Sequence, residues 1–185
     1  MFGKAISQGG TLYACISQRH PFRERTHIGL FGCRNAGKSS LINAITGQDL
    51  AIVSDYKGTT TDPVSKAMEI LPLGPVLLTD TPGMDDDTDL GQSRIEKARL
   101  VLRSTDIALL VVDAATGMND FDRKLLQEIR DRKIPYLVVF NKCDLVPSFT
   151  LPEDLKGHSM LVSAQAGTRI WELKERISQP WAKRK

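Results

Sequence analysis

The sequence predicts an α/β fold, with a mostly parallel sheet of six strands and helices on both faces. Three observations predict it. Apolar runs of strand length alternate with segments whose apolar residues recur at helical spacing. The first such run leads directly into a Gly-rich GxxxxGKS stretch, Gly32 to Ser39, that opens a helix. No internal repeat or low-complexity tract interrupts the alternation.

The elements follow in order. HIGLFG (27–32) is a short apolar strand, and GKSSLINAIT (37–46) is a helix stopped by Gly47. A polar stretch, 48–62, has no periodicity. Residues 64–71 alternate as a half-exposed strand, Pro72 to Pro75 make a turn, and 76–80 return as the second strand of a hairpin. Residues 82–91 are a Gly- and Asp-rich loop. Residues 92–103 read as a helix with Ile95, Ala98 and Leu102 on one face. Residues 106–113 and 134–141 are continuous apolar runs, hence buried strands. Between them, 119–132 is a helix with Phe121, Leu125 and Ile129 at helical spacing. A Pro-containing loop (145–157), a strand (159–163) and a helix (169–178) complete the pattern.

Composition bounds the class. The chain has 185 residues, 41% hydrophobic and 25% charged, enough for one globular domain with one core. No stretch approaches the ~20 apolar residues of a membrane span. Lys4 is not followed by an apolar run, so no signal peptide is read. The net charge of +3 is uneven. Lys4, Arg19, Arg23 and Arg25 against Glu24 leave the first 27 residues at +3, and Lys183, Arg184 and Lys185 add +3, so the body carries −3. The expected organisation is therefore a flexible N-terminal segment (1–26), one domain (27–178) that carries the motifs described next, and a basic tail (179–185). Basic ends could touch RNA or acidic lipid, but no basic patch interleaved with aromatics accompanies them, so neither an RNA surface nor a membrane is expected as partner. Cys15, Cys33 and Cys143 have no CxxC or Cys/His ligand spacing. That sparse, odd count fits a reducing, cytoplasmic setting.

The chemistry lies at strand ends, where ligands bind in such sheets. In Gly32-Cys33-Arg34-Asn35-Ala36-Gly37-Lys38-Ser39 the glycines let the backbone curl around a phosphate. Its N–H groups point inward and the helix N-terminus adds partial positive charge. Ala36, Gly37, Ser39 and Ser40 are expected around the phosphates, with Lys38 reaching the β- and γ-phosphates and the Ser39 hydroxyl on Mg²⁺. Asp80-Thr81-Pro82-Gly83 matches DxxG at the end of a strand. Alone the motif is weak; beside a P-loop it places Asp80 to hold Mg²⁺ and the Gly83 N–H to sense the γ-phosphate. Asn141-Lys142-Cys143-Asp144 matches NKxD, again at a strand end. The Asp144 carboxylate can accept from N1–H and the exocyclic amine of guanine, whereas adenine presents the opposite pattern and would leave a buried charge unpaired. Asn141 can tie this loop to the P-loop, and the stem of Lys142 can cover the base. Ser163-Ala164 follows the last strand, where the Ala164 N–H is expected to meet guanine O6.

The order P-loop, polar loop with Thr59-Thr60-Thr61, DTPG, NKCD, SA resembles the translation-factor-related GTPases, in the branch containing TrmE/MnmE, Era and EngA/Der. The likeness runs from His27 to about Ser178 and implies a Ras-like P-loop GTPase fold that binds GTP or GDP with Mg²⁺ and hydrolyses GTP. Within that branch the stretch TTTDPVSKAMEILPLGPV resembles the HydF proteins, which mature iron-iron hydrogenase; the tRNA-modifying relatives usually have GTTRD there.

This resemblance implies that Thr60 joins Mg²⁺ when GTP is bound, with Thr59 beside it in switch I (49–62), and that 82–92 is switch II. It implies that Asn35 holds K⁺ together with the backbone carbonyls of Ser54 and Tyr56, in place of an arginine finger. It also implies that two such domains pair through their switches when GTP is bound. Met84 stands where Ras-like enzymes carry the water-orienting glutamine; Gln92 and Glu96 are the alternatives for that role, and neither aligns cleanly. HydF proteins continue into a dimerisation domain and a Cys/His-rich iron–sulfur domain. Against that likeness these residues are expected to be either an excised domain, whose missing parts would meet hydrogenase or its maturation proteins, or a stand-alone relative, the first being favoured. The competing readings are a tRNA-modification or ribosome-assembly GTPase, and a nucleotide-switch module with little turnover alone.

Overall fold

The structure, a computed structural model, describes residues 25–47, 65–81 and 98–179, and the backbone of 54–56. Several expectations lie outside those residues: the N-terminal segment, most of switch I with Thr59 and Thr60, switch II with Gly83, Met84 and Gln92, the start of the following helix with Glu96, and the basic tail.

Among the described residues the six expected strands form, and they carry a seventh at one edge. The strands are β1 (Thr26–Phe31), β2 (Ser54–Tyr56), β3 (Ser65–Ile70), β4 (Gly74–Asp80), β5 (Ile107–Asp113), β6 (Tyr136–Asn141) and β7 (Ser159–Leu161). The helices are α1 (Lys38–Gly47), α2 (described over 98–102), α3 (Asp120–Asp131) and α4 (Ile170–Ile177). The sheet order is β2-β3-β4-β1-β5-β6-β7. Pairs β4–β1, β1–β5, β5–β6 and β6–β7 are parallel, whereas β2–β3 and β3–β4 are antiparallel. The three-residue β2 comes from a polar stretch without alternation, so periodicity could not reveal it.

Most strand ends shift by a residue or two from the pattern, β7 for example ending at Leu161 rather than 163, and two of the shifts have clear local reasons. β4 starts at Gly74, because the hairpin turn closes within 71–73 and Gly74 and Pro75 already face Ile70 and Glu69. β6 starts at Tyr136 rather than 134. The Ile134 N–H is donated to Ile129 O at the end of α3, and Pro135 has no N–H for a ladder.

The apolar residues divide into two clusters, one on each face. Ile28, Leu30, Leu109, Val111 and Val139 pack with Leu41 and Ile45 of α1 and with Ile170, Leu173 and Ile177 of α4. Phe31, Leu110, Val112, Val138 and Phe140 pack with Ala98 and Leu102 of α2 and with Leu125 and Ile129 of α3. β5 is buried at six consecutive positions, as a central parallel strand covered on both sides must be. α3 is set by a capping box. The Asn119 side chain accepts from the Asp122 N–H at 2.9 Å, and Asp122 Oδ2 accepts from the Asn119 N–H at 3.1 Å. The parallel registers bring the carboxyl ends of β1, β4, β5 and β6 to one edge, pairing Leu30 with Asp80 and Asp113 with Asn141.

Candidate nucleotide-binding site

The loop from β1 to α1 closes on itself through backbone handedness. Gly32 (φ 131°), Asn35 (φ 62°) and Gly37 (φ 90°) all have positive φ. Two of these glycines have no substitute. A Cβ on Gly32 would lie 2.0 Å from Val111 O, and one on Gly37 would lie 2.3 Å from Asn141 Nδ2. The loop therefore packs hard against β5 and β6. Lys38 is buried; its ammonium donates to Gly32 O at 2.9 Å and Cys33 O at 3.0 Å. Asn35, Ser39 and Ser40 are exposed at the mouth, whereas Ala36 is buried.

Asp80 ends β4 beside this loop. The Ser39 hydroxyl donates to Asp80 Oδ2 at 2.6 Å. Asp80 Oδ1 is buried and has no hydrogen-bond partner among the described residues. A hydroxyl and a carboxylate oxygen at contact distance, with a second carboxylate oxygen unsatisfied, are hard oxygen donors that fit Mg²⁺. Thr81, which sequence reasoning passed over, is buried and donates its hydroxyl to Leu30 O at 2.8 Å. It locks the end of β4 to β1 and so fixes where Asp80 sits.

The third motif is tied to the first. Asn141 is buried; its Nδ2 donates to Ala36 O at 2.9 Å and its Oδ1 accepts from the Ala164 N–H at 2.9 Å. One side chain thus joins the P-loop, the end of β6 and the Ser163-Ala164 turn. The Ala164 N–H, expected at guanine O6, is given to Asn141 in this structure, where the two loops abut. Ser163 is fully buried, and its Oγ accepts from the Ala166 N–H at 3.0 Å. Lys142 adopts a left-handed conformation (φ 63°, ψ 34°), and Asp144 follows it, exposed. Lys142 Nζ lies 2.6 Å from Asp113 Oδ2.

The cation set proposed around Asn35 is spread out. β2 puts the backbone of Ser54 and Tyr56 on the outermost strand, three positions across the sheet from β1. Sequence reasoning also missed the link from the P-loop to α3. Asn119 Nδ2 donates to Cys33 Sγ at 3.0 Å, and that thiol lies 3.7 Å from Asp122 Oδ1. The only hint was the Asn-x-x-Asp spacing of a capping box.

An α/β sheet with a P-loop, a carboxylate at the next parallel strand end and an NKxD loop tied back to the P-loop defines a P-loop nucleotide-binding protein of the GTPase class. Comparison with known proteins agrees. Residues 27–142 match the family described as 50S ribosome-binding GTPase, and the chain belongs to it. It is similar to the tRNA modification GTPase MnmE of Synechococcus sp. (strain JA-3-3Ab), 35% identical over 176 residues, covering 94% of this chain and 38% of that protein. The chain thus spans well under half the length of that relative. Among solved structures it resembles Aquifex aeolicus Era bound to GDP·AlF4⁻ (31% identity, TM-score 0.63, 82% of this chain and 55% of that one). It also resembles the G domain of the T. maritima FeoB iron transporter (26% identity, TM-score 0.61, 83% of this chain and 96% of that one). The chain is a TrmE/Era-like P-loop GTPase. None of these similarities is specific to HydF. Among the described residues, no helix is long and apolar enough to cross a membrane.

Proposed function

We propose that this domain binds GTP with Mg²⁺ at the carboxyl edge of the sheet and hydrolyses it to GDP and phosphate, as the switch domain of a longer MnmE- or Era-type protein. The observation that carries the reading is the junction at Asn141, which ties the phosphate loop to the base-recognition loop through two hydrogen bonds of 2.9 Å. In this reading the P-loop N–H groups of Ala36 to Ser40 hold the phosphates. Lys38 exchanges its bonds to Gly32 O and Cys33 O for phosphate oxygens, and Ser39 and Asp80 hold Mg²⁺. That ion, when bound, would offset the charge that develops between the β- and γ-phosphates. Asp144 reads the guanine edge. Thr59, Thr60 and Gly83 report the γ-phosphate through the switches. K⁺ at Asn35, with the carbonyls of Ser54 and Tyr56, requires switch I to move toward the P-loop, which fits a site completed only when two domains meet.

For the client, the named relatives favour a tRNA-linked role over hydrogenase maturation. The hydrogenase reading keeps one observation, the TTTDPVSKAMEILPLGPV stretch. A strain lacking the gene separates them: loss of a modified tRNA nucleoside supports the first, and loss of hydrogenase activity with intact tRNA supports the second. The biochemical reading is tested by phosphate release from GTP in KCl against NaCl at equal ionic strength, over a range of protein concentrations, with Asn35→Ala as control. Acceleration by K⁺ that Asn35→Ala removes is expected. Slow turnover indifferent to the cation would leave a switch module without the K⁺ step.

A further inference from the structure

We infer that Asp113 is a positioning residue of the guanine site, acting through Lys142; this rests on the nucleotide-binding reading above. Asp113 is the last residue of β5 and belongs to none of the nucleotide motifs. Its carboxylate is nevertheless committed on both oxygens. Oδ1 accepts from the Ala115 N–H at 2.9 Å, and Oδ2 lies 2.6 Å from the Lys142 ammonium. Its carbonyl accepts from the N–H groups of Thr116 and Gly117, and its backbone is paired with Asn141 in the β5–β6 register. Asp113 is thus a rigid post beside the base-recognition loop.

Lys142 is fixed at its other end too. Its backbone is held left-handed between the Cys143 N–H, given to Val162 O at 3.1 Å, and its own carbonyl, which accepts from the Leu145 N–H at 3.0 Å. A lysine stem is flexible, and ordering it costs entropy when a ligand arrives. Here backbone and ammonium are both anchored before any base is present, so the four-carbon stem forms a ready wall for the flat face of a guanine. The pair is part-buried, with side-chain exposures of 31% for Lys142 and 20% for Asp113, so solvent screens it only in part. Loss of the tether frees the ammonium and leaves the wall to be ordered at each binding event. Nucleotide then leaves faster.

The test is stopped-flow release of a fluorescent N-methylanthraniloyl-GDP from the 185-residue chain. Four proteins form the cycle: wild type, Asp113→Asn, Lys142→Ala and the double variant. Asparagine keeps the shape and an oxygen for the Ala115 N–H but removes the charge. Release from Asp113→Asn is expected to be roughly three- to tenfold faster than from wild type, the span of a partly exposed charged hydrogen bond. In the Lys142→Ala background the same change is expected to have no further effect, which a merely structural role would not produce. Should the asparagine variant not fold, Asp113→Glu, which keeps the charge one methylene further out, runs the same cycle with an intermediate effect. Unchanged release, or equal acceleration in both backgrounds, would overturn the inference while leaving the nucleotide reading intact. A wild-type chain that takes up no GDP would overturn both.

Discussion

Asn141→Ala probes how the site is held together before any nucleotide arrives. The asparagine is only 2% exposed. Its loss strips the Ala36 carbonyl, in a buried bond, and the Ala164 N–H, in a part-buried one, of their partners. A buried polar group left unsatisfied costs ~1–3 kcal/mol, and a part-buried one sits at the lower end of that range. Together they predict a loss of ~2–4 kcal/mol in the nucleotide-free protein. At ~2–4 °C per kcal/mol for a chain of this size, the melting temperature should fall by roughly 5–15 °C. Urea unfolding of wild type and variant without nucleotide measures the free-energy loss, and thermal unfolding the shift in melting temperature. Asn141→Asp is the control: it keeps an acceptor for Ala164 but turns a carboxylate oxygen toward the Ala36 carbonyl, so it should be at least as unstable at neutral pH. A loss below ~0.5 kcal/mol for Asn141→Ala, the range of an ordinary surface substitution, would refute the idea that this side chain is the junction of the two loops.

Three further outcomes follow from the same geometry. Gly32→Ala should fail to fold or lose more than ~3 kcal/mol, because its Cβ would meet Val111 O at 2.0 Å with φ at 131°; far-UV circular dichroism with a urea titration reads this. Ser39→Ala should raise the Mg²⁺ concentration needed for tight GTP binding by about tenfold or more, while GDP binding without Mg²⁺ changes little; a Mg²⁺ titration of nucleotide fluorescence separates the two. Acid should weaken the fold in a defined way. Burial pushes the Asp113 carboxyl up, but the hydrogen bonds from Lys142 and the Ala115 N–H, with the Lys142 charge, hold it below its ordinary 3.8. Glu128 is likewise lowered, by the Arg99 hydrogen bond against burial, helped by Arg132. Groups with a depressed folded pKa contribute stability above the unfolded value, lost as pH falls through the folded one. The urea midpoint should therefore drop below about pH 4, less steeply in Asp113→Asn.

Most of the architecture was legible because the relevant signals are local. A six-residue apolar run between turn signals is a buried strand wherever it lies, and β5 and β6 announced themselves this way. The P-loop was legible because its glycines answer to hard sterics, seen in the 2.0 Å and 2.3 Å approaches at Gly32 and Gly37. What stayed hidden depends on contacts between segments distant in sequence. Asp113 reads as an ordinary strand-ending carboxylate until β6 is laid beside β5 and Lys142 comes within reach. The Cys33–Asn119 contact joins residues 86 apart, and no periodicity predicts it. The hydrogen bond from the Ala164 N–H to the side chain of Asn141, 23 residues earlier, is likewise invisible in the motif.

Discrimination between guanine and adenine is the decisive property of this site. Phosphate release from GTP and from ATP would be measured side by side for wild type, Lys38→Ala and Asp144→Ala. Wild type should turn over GTP and not ATP, Lys38→Ala should abolish turnover, and Asp144→Ala should weaken GTP binding by at least a hundredfold, as expected when a charged partner of two guanine donors is removed. Equal turnover of ATP and GTP by the wild type, or GTP binding unmoved by Asp144→Ala, would contradict a guanine-specific site.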